Sequence, residues 1–377
     1  MNKHVQLAML TLAAGLAAAA QTSDSRLYRA SGNEWIQEVH GTLPAAKVMK
    51  VISTAGAIRI QGGTQSNITY IAREHVRASS EEAARRGLSG VRFSAGSGEL
   101  ALLKVECDGS NQRYADFEIQ MPAQTALVKL ETQGGAVAVK NISGRVIANT
   151  GGGNIQLDQI GGAISASSGG GNIEVGKVAG DVKAETGGGS IHIDSAGGQI
   201  AAKSGGGNLK IGAGKLMVLE TGGGVIQVNK CDGKIRAESG GGGIELNYDG
   251  GLAVIETGGG SIKVGPVVGG IRAETGSGPI IATLARGGIP FTDSRLETSV
   301  GDIIVYIPDG LPITIRAAVE VARGQGIQSE FSQIKVHGTG EYGPREYYAE
   351  GSLNGGGPVL HVHTSTGNIA IKRKGKE

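Results

Sequence analysis

Glutamate residues recur at one position of a short repeat in the middle of the chain, directly before a glycine-rich turn. The column at this position reads Asn149, Ser167, Glu185, Lys203, Glu220, Glu238, Glu256 and Glu274. On stacked strands the last four side chains would lie about 4.8 Å apart on one face, and such a ladder can recruit a cation or a cationic partner. The candidate ligand-facing residues are therefore Glu220, Glu238, Glu256 and Glu274.

A neutralised surface is the main alternative for this glutamate column. Arg236 and Arg272 stand two residues before Glu238 and Glu274, on the same face of their strands. Their guanidinium groups could pair with the carboxylates and leave an ordinary solvated, salt-bridged sheet face. The sequence leaves both interpretations open.

Metal binding is not favoured by any pattern in the chain. His361 and His363 share one strand face, but no acidic or cysteine ligand is close in sequence, so we interpret them as exposed strand histidines. The calcium-binding repeats of toxins need an aspartate where this chain has Gln156, Glu174 or Lys210, and lysine cannot ligate calcium. We therefore predict no metal site and no cofactor.

No catalytic signature of the Ser-His-Asp or Cys-His type stands in a recognisable context. The 24-residue step from Thr275 to Ser299 is the only candidate for a catalytic insert in the repeats. Its residues that could carry chemistry are Arg286, Asp293 and Arg295. We predict no catalytic residues, with a polysaccharide-active β-helix lyase or hydrolase as the alternative.

A repeat of 18 residues must position the glutamates. A threonine or serine is followed by three glycines at a spacing of 18, with a single interval of 17. The hydroxyl residues are Thr150, Ser168, Thr186, Ser204, Thr221, Ser239, Thr257 and, with serine replacing the middle glycine, Thr275. A period held through seven intervals indicates a repeat architecture.

Each repeat contains two short segments with strand alternation. Ile155 and Leu157 follow the glycines on one face, and Ile164 and Ala166 follow a second turn. The pattern predicts an all-β fold, a flattened β-solenoid of about 18 residues per coil, right-handed by the chirality of strand crossovers. We expect the corner hydroxyl groups to bond backbone groups and the corner glycines to supply positive φ.

The flanks of the array are predicted to be irregular β caps. Among the 13 aromatic residues, only Tyr248 lies between residues 132 and 283, and bulkier flanks suit the covering of open sheet edges. One short helix is expected near residues 80–86, with Ser79 and Glu82 as a capping box and Gly87 as its end. The predicted divisions are a signal peptide at 1–20, an N-terminal β segment and cap at 21–131, the solenoid at 132–283, and a C-terminal β segment and cap at 284–377.

The first 20 residues have the features of an export signal. Lys3 precedes an alanine-rich apolar run, and Ala18, Ala19 and Ala20 supply a small-residue cleavage site. No later stretch approaches 18 apolar residues, so we expect no transmembrane segment in the mature chain. The 36 basic and 34 acidic residues nearly balance, which gives no bulk electrostatic case for nucleic acid. The expected location is the periplasm, the cell surface or the extracellular medium.

The repeat segments resemble a known family. Thr-Gly-Gly-Gly-Asn-Ile-Gln-Leu at 150–157 and Ser-Gly-Gly-Gly-Asn-Ile-Glu-Val at 168–175 are similar to the bacterial putative-adhesin family of β-strand-repeat domains of unknown function. Strand-then-proline pieces at 119–122 and 305–308 are similar too, and the resemblance covers residues 45–372. It implies an exported β-solenoid without established catalytic residues. We predict a non-enzymatic adhesin-like or envelope structural protein whose partner is an envelope glycan or protein.

Overall fold

The computed structural model describes residues 17–18, 26–107, 113–322, 324–339 and 345–375. The described residues contain one α-helix and 35 β-strands, of which 18 form sheet A and 17 form sheet B. This all-β solenoid confirms the predicted fold class. Apart from residues 17 and 18, the predicted signal peptide lies outside the described residues.

The strands fall into a flank, a regular array and a second flank. The first flank contains β1 (Ala17–Ala18), β2 (Leu27–Ser31), β3 (Glu34–Pro44), β4 (Val48–Ser53), β5 (Ile58–Gly63), β6 (Asn67–Arg77), α1 (Glu81–Leu88), β7 (Val91–Ser97), β8 (Leu100–Cys107) and β9 (Arg113–Pro122). The array contains β10 (Leu127–Thr132), β11 (Val137–Ile142), β12 (Arg145–Thr150), β13 (Ile155–Ile160), β14 (Ile164–Ser168), β15 (Ile173–Val178), β16 (Val182–Thr186), β17 (Ile191–Ala196), β18 (Gln199–Ser204), β19 (Leu209–Gly214), β20 (Leu216–Thr221), β21 (Ile226–Cys231), β22 (Ile235–Ser239), β23 (Ile244–Leu246), β24 (Leu252–Thr257), β25 (Ile262–Val267), β26 (Gly270–Ser277) and β27 (Ile280–Leu284). The second flank contains β28 (Ser294–Val300), β29 (Ile303–Ile307), β30 (Ile313–Ala322), β31 (Ile327–Ser329), β32 (Lys335–Thr339), β33 (Arg345–Leu353), β34 (Val359–Thr366) and β35 (Ile369–Arg373).

Each coil of the array places one strand in each sheet, and equivalent strands of successive coils pair in parallel. In sheet B, Ile155 of β13 pairs with Ile173 of β15, which pairs with Ile191 of β17. In sheet A, which carries the hydroxyl corners, Ala166 of β14 pairs with Ala184 of β16. These inward side chains are buried, so stacking identical positions forms continuous apolar ladders between the two sheets.

The predicted ladders are confirmed over the whole array. The first runs through Ile155, Ile173, Ile191, Leu209, Ile226, Ile244 and Ile262. The second runs through Leu157, Val175, Ile193, Ile211, Val228, Leu246 and Val264. The alanine column of sheet A is present, with Leu219 and Ile255 as larger members. Small residues opposite large ones allow the sheets to lie close together.

The corner hydroxyl groups connect consecutive coils, as predicted. Thr186 Oγ1 donates a hydrogen bond to the carbonyl oxygen of Gly171 in the preceding coil, at 2.8 Å. The same oxygen accepts from the amide of Gly189, at 3.3 Å. The pattern repeats at Thr150, Ser168, Ser204, Thr221, Ser239 and Thr257. Each buried hydroxyl thus satisfies two backbone groups that the strand ladder leaves open.

The prediction of positive φ at the corner glycines is wrong for the regular motifs. Between residues 150 and 260, all described, no glycine has positive φ; further on, Gly278 of the degraded motif does. Close stacking is the reason for glycine instead. A Cβ on Gly189 would lie 2.2 Å from the carbonyl oxygen of Gly171, which is closer than any side chain tolerates. The corner backbones of neighbouring coils therefore touch directly, and only glycine fits between them.

Antiparallel strands close the N-terminal end of both sheets and the C-terminal end of sheet A, whereas sheet B ends at its C-terminal side in the short parallel strand β31. At the N-terminal end β6 pairs antiparallel with β3 and β9, and β7 pairs antiparallel with β8. At the C-terminal end β33 pairs antiparallel with β30 and β32. β34 and β35 return to the array and pair in parallel with β28 and β29. These flanks cover sheet edges that parallel coils would otherwise expose.

The single described helix, α1, lies one residue further along the chain than predicted. Ser80, and not Ser79, is the N-cap, because its side chain accepts the amide hydrogen of Ala83. The helix also continues through Gly87 to Leu88, so Gly87 does not end it. A Cβ on Gly87 would meet the side chain of Val76 at 2.6 Å, so glycine permits close packing on β6. This helix is too short to cross a membrane, and no other helix is present in the described residues.

Candidate functional site

Five glutamates form an uninterrupted row on the outer face of sheet A, which we call the acidic ladder. Its members occupy β20, β22, β24, β26 and β28, which are consecutive neighbours in the sheet. They are Glu220, Glu238, Glu256, Glu274 and Glu297. The structure thus brings the four predicted residues together and adds Glu297. The 18-residue period could not reveal Glu297, because the insert before β28 shifts it out of register.

Basic side chains neutralise the acidic ladder only in part. Lys203 precedes Glu220 in the column, and its ammonium group donates a hydrogen bond to the Glu220 carboxylate at 2.6 Å. Arg236 pairs with Glu238 and also reaches Glu256 at 3.7 Å. The predicted neutralisation by Arg236 is therefore present.

The ion pair predicted between Arg272 and Glu274 is absent from the described structure. Within the described chain, Arg272 and Glu274 have no ion-pair partner within 4.0 Å. The hydrogen bond and charge of Glu220 raise the pKa of Lys203, and the more distant charges of Glu185 and Glu238 add to this effect. The potential at the Lys203 end of the ladder is therefore negative, whereas at the other end Arg295 pairs with Glu297.

The acidic ladder borders an open trough on the surface. The trough has a volume of about 690 Å³ and lies between the glutamates and the hydroxyl-glycine corners of the same coils. Side chains of Glu220, Glu238 and Glu256 are 42%, 33% and 47% exposed, so the carboxylates are accessible. In the described residues no three His, Cys, Asp or Glu side chains converge as a metal site. The trough suits an extended partner with repeated positive or hydrogen-bonding groups.

A second trough, which we call the C-terminal trough, crosses β28, β34, β30 and β33 on the same sheet face. Its volume is about 460 Å³. The residues lining it are Arg295, Glu297, Arg316, Ala317, Ala318, Tyr348, Ala349, Glu350, His361, Val362 and His363. Glu297 is shared with the acidic ladder, so the two troughs follow one another along the solenoid.

The two strand histidines lie on the outer face of β34, as predicted. His363 Nε2 lies 3.1 Å from Glu320 Oε1, and Ser365 donates to the other oxygen of that carboxylate at 2.9 Å. His361 lies between Arg295 and Arg316 on the neighbouring strands. A histidine flanked by two guanidinium groups is a poor metal ligand, because the cation would add a third positive charge.

The structure does not bring the three insert residues together. Asp293 accepts the amide hydrogen of Val359 at 2.8 Å, and Arg295 pairs with Glu297. No hydrogen bond or ion pair joins Arg286, Asp293 and Arg295 to one another in the described part of the molecule. They do not form a catalytic constellation in this arrangement.

Sequence reasoning missed a buried carboxylate inside the array. Asp249 is fully buried and bridges Cys231 and Val267 of the adjacent coils. Its two carboxylate oxygens make no hydrogen bond of normal geometry with the described residues. Burial raises the pKa of Asp249 to about 6, and nearby polar groups, Gly251 and Cys231, offset this only in part. Burial also raises the pKa of the Cys231 thiol, to about 11.

Sequence reasoning also missed a polar cluster in the N-terminal flank. Glu34 Oε1 accepts from the Tyr114 hydroxyl at 2.9 Å and lies 3.1 Å from His75 Nδ1. The rings of His75 and Tyr114 stack with centroids 4.2 Å apart. The hydrogen bonds from Tyr114 and His75 lower the pKa of Glu34. The cluster ties β3, β6 and β9 together, and its residues are too distant in sequence to form a recognisable motif.

No protein-family model and no curated protein matches this chain. Two solved structures resemble it. A putative cell adhesion protein from Clostridium sporogenes has 8% identity and a TM-score of 0.18, covering 90% of this chain and 100% of its own. A putative adhesin from Bacteroides fragilis has 12% identity and a TM-score of 0.27, covering 89% of this chain and 97% of its own.

Both neighbours carry names of adhesion proteins. Neither is named as an enzyme. At TM-scores this low the likeness carries no argument about what this chain binds or does. The function must be argued from the surface of the solenoid itself.

Proposed function

We propose that this chain is an exported, non-enzymatic β-solenoid with an adhesin-like or structural role in the cell envelope. In this proposal the acidic ladder is the surface that faces the ligand, and the partner is an envelope glycan or protein that carries positive groups. The periplasm, the cell surface and the extracellular medium are all consistent with it. The single observation that carries the proposal is the uninterrupted row of five carboxylates, four of which line an open trough.

The electrostatics of the row support a cationic partner. Adjacent carboxylates sit on strands about 4.8 Å apart, and like charges at that spacing repel one another. Lys203 and Arg236 relieve this at one end and Arg295 relieves it at Glu297, whereas Glu274 has no base within 4.0 Å among the described residues. A partner with positive groups at a regular spacing would complete the neutralisation and would gain several weak contacts at once.

A non-enzymatic role is supported by the fact that no hydrogen bond or ion pair joins the three candidate catalytic residues of the insert to one another in the described structure. Arg286, Asp293 and Arg295 have separate partners or stand alone, and the coils of the array carry no long insert. The polysaccharide-active enzyme remains the alternative proposal. The enzyme proposal predicts that a polysaccharide is converted to smaller products, whereas the binding proposal predicts saturable binding of an unchanged ligand.

The test is a binding screen of purified residues 21–377 against glycans and envelope polymers, with and without calcium. We expect saturable binding that is lost in the double variant Glu238→Gln plus Glu256→Gln. The matched control, Glu174→Gln plus Glu245→Gln, removes the same charge from sheet B and should leave binding intact. Equal binding of a positively charged ligand by both double variants would exclude the acidic ladder as the site. Conversion of any glycan to smaller products would support the enzyme instead.

A further inference from the structure

The C-terminal trough is lined by small side chains at its base and by long polar side chains at its sides. Two rows of outward side chains cross its four strands. One row contains Arg295, His361, Arg316 and Glu350. In the other row, the short side chain of Ala318 stands between His363 and Tyr348. The trough therefore deepens at Ala318 and is bordered by the Tyr348 side chain.

The charges that line the C-terminal trough are balanced within it. Arg316 Nε donates to Glu350 Oε1 at 3.0 Å, and Arg295 pairs with Glu297. An ionic ligand would have to compete with these pairs. A guanidinium beside a carboxylate instead offers hydrogen-bond donors and acceptors next to each other, which matches the adjacent hydroxyl groups of a sugar.

An exposed aromatic ring stands beside these polar groups. Tyr348 is 48% exposed, although it is part of a paired strand. His337 of the neighbouring strand β32 stacks on it, with ring centroids 5.0 Å apart and an interplanar angle of 22°. An accessible aromatic ring next to hydrogen-bonding side chains suits a ligand with one apolar and one polar side, as a pyranose ring has.

We propose that the C-terminal trough is a binding site for a neutral saccharide. A pyranose ring stacks on Tyr348, and its hydroxyl groups bond to Arg316, Glu350 and His361. The volume of about 460 Å³ is within the range of small-ligand sites. The site deepens the proposed adhesin-like function and rests on it for its biological role, but it is separate from the acidic ladder in both residues and ligand charge, apart from the shared Glu297.

The test is calorimetric titration of the purified protein with defined hexasaccharides. The neutral probes are cellohexaose, maltohexaose, laminarihexaose and N-acetylchitohexaose, and hexagalacturonate is the acidic probe. We expect at least one neutral probe to bind, and Tyr348→Ala to weaken it by about tenfold or more, as the loss of an aromatic anchor does. Tyr348→Phe keeps the ring and should bind within about threefold of the original protein.

Two controls make the result specific. Tyr248→Ala removes another exposed tyrosine, on the array, and should leave saccharide affinity unchanged. Glu238→Gln plus Glu256→Gln should also leave it unchanged, so a failure of the acidic ladder and a failure of this site are distinguishable. The proposal is overturned if no neutral probe binds, if hexagalacturonate binds more tightly than every neutral probe, or if Tyr348→Ala binds like the original protein. Glu350→Gln removes a charged acceptor that the proposal assigns to the sugar hydroxyl groups and should weaken binding by about threefold or more, so it covers the case in which Tyr348→Ala does not fold.

Discussion

The second and third glycines of a corner motif have different surroundings, although they are identical in sequence. A Cβ on Gly189 would lie 2.2 Å from the Gly171 carbonyl oxygen, whereas a Cβ on Gly188 would meet no heavy atom within 4 Å. The position of a glycine in the motif therefore decides whether coils can stack. The middle glycine has no steric role in the described structure.

This difference predicts opposite outcomes for two adjacent substitutions. Gly189→Ala should lower the free energy of unfolding by about 1–3 kcal/mol or more, because the methyl group overpacks the corner. Gly188→Ala should be neutral or stabilise by up to about 1 kcal/mol, because it restricts the unfolded chain. Urea unfolding followed by circular dichroism measures both. Equal losses in the two variants would show that close stacking is not the reason for glycine.

At the residue scale, the sequence predicted the corner hydroxyl groups better than the corner glycines. The hydroxyl group of a buried threonine such as Thr186 must form hydrogen bonds, and at a corner its available partners are backbone groups. A glycine fits two explanations, positive φ or close approach, and the residue type cannot separate them. Only the position of Gly171 in the preceding coil shows which one applies.

Among the elements, β23 is the shortest strand of the array and belongs to the coil that contains Asp249. It spans only Ile244–Leu246, and the coil continues to Asp249 through an isolated bridge. In the stacked column Asp249 stands between Cys231 and Val267, where other coils place apolar residues such as Val178. Asp249 is therefore a buried polar residue in an otherwise apolar column of side chains.

The buried carboxylate predicts a pH-dependent stability. The pKa of Asp249 in the folded protein, about 6, lies above the usual aspartate value, so folding disfavours the charged form. The penalty is fully present above pH 6 and disappears as the pH falls toward about 4, so stability should rise on mild acidification. Glu74, whose pKa burial raises to about 7, should contribute in the same direction.

Asp249→Asn tests this assignment. It should raise the free energy of unfolding at pH 8 by about 1–3 kcal/mol and should flatten the stability profile between pH 4 and 6. Asp232→Asn, at an exposed aspartate paired with Lys230, is the matched control and should leave the profile unchanged. Thermal unfolding at a series of pH values measures both. An unaltered profile in Asp249→Asn would contradict the assignment.

For the whole molecule, the regular array could be predicted from the sequence and the sites at its C-terminal end could not. A fixed period places Glu220 to Glu274 on neighbouring strands without further information. The insert after Leu284 breaks the period, so the place of Glu297 in the row was not visible. The C-terminal trough joins residues from Arg295 to His363 through pairings that are not sequential, and no local pattern encodes them.

Removal of one complete coil is the test of this modular architecture. Deletion of residues 169–186 joins Ser168 to Gly187 and restores a Ser-Gly-Gly-Gly corner. β13 and β14 would then stack on β17 and β18, which repeat their inward residues, so we expect a folded protein. Deletion of residues 169–177 removes half a coil and should unfold the array, because later strands would enter the wrong sheet. Circular dichroism and thermal unfolding distinguish the two, and equal stability would contradict the model of independent coils.

The flanks at the two ends have a further consequence, which is that the number of coils between them determines the length of the solenoid. Each coil adds about 4.8 Å of length and contacts only its neighbours. Antiparallel strands end the parallel stacking at both ends of sheet A and at the N-terminal end of sheet B, and the three-residue strand β31 ends it at the C-terminal side of sheet B. The number of 18-residue units in the chain thus sets the distance between the two capped ends. Duplication of a unit during evolution would lengthen the molecule in fixed steps while both ends keep their structure.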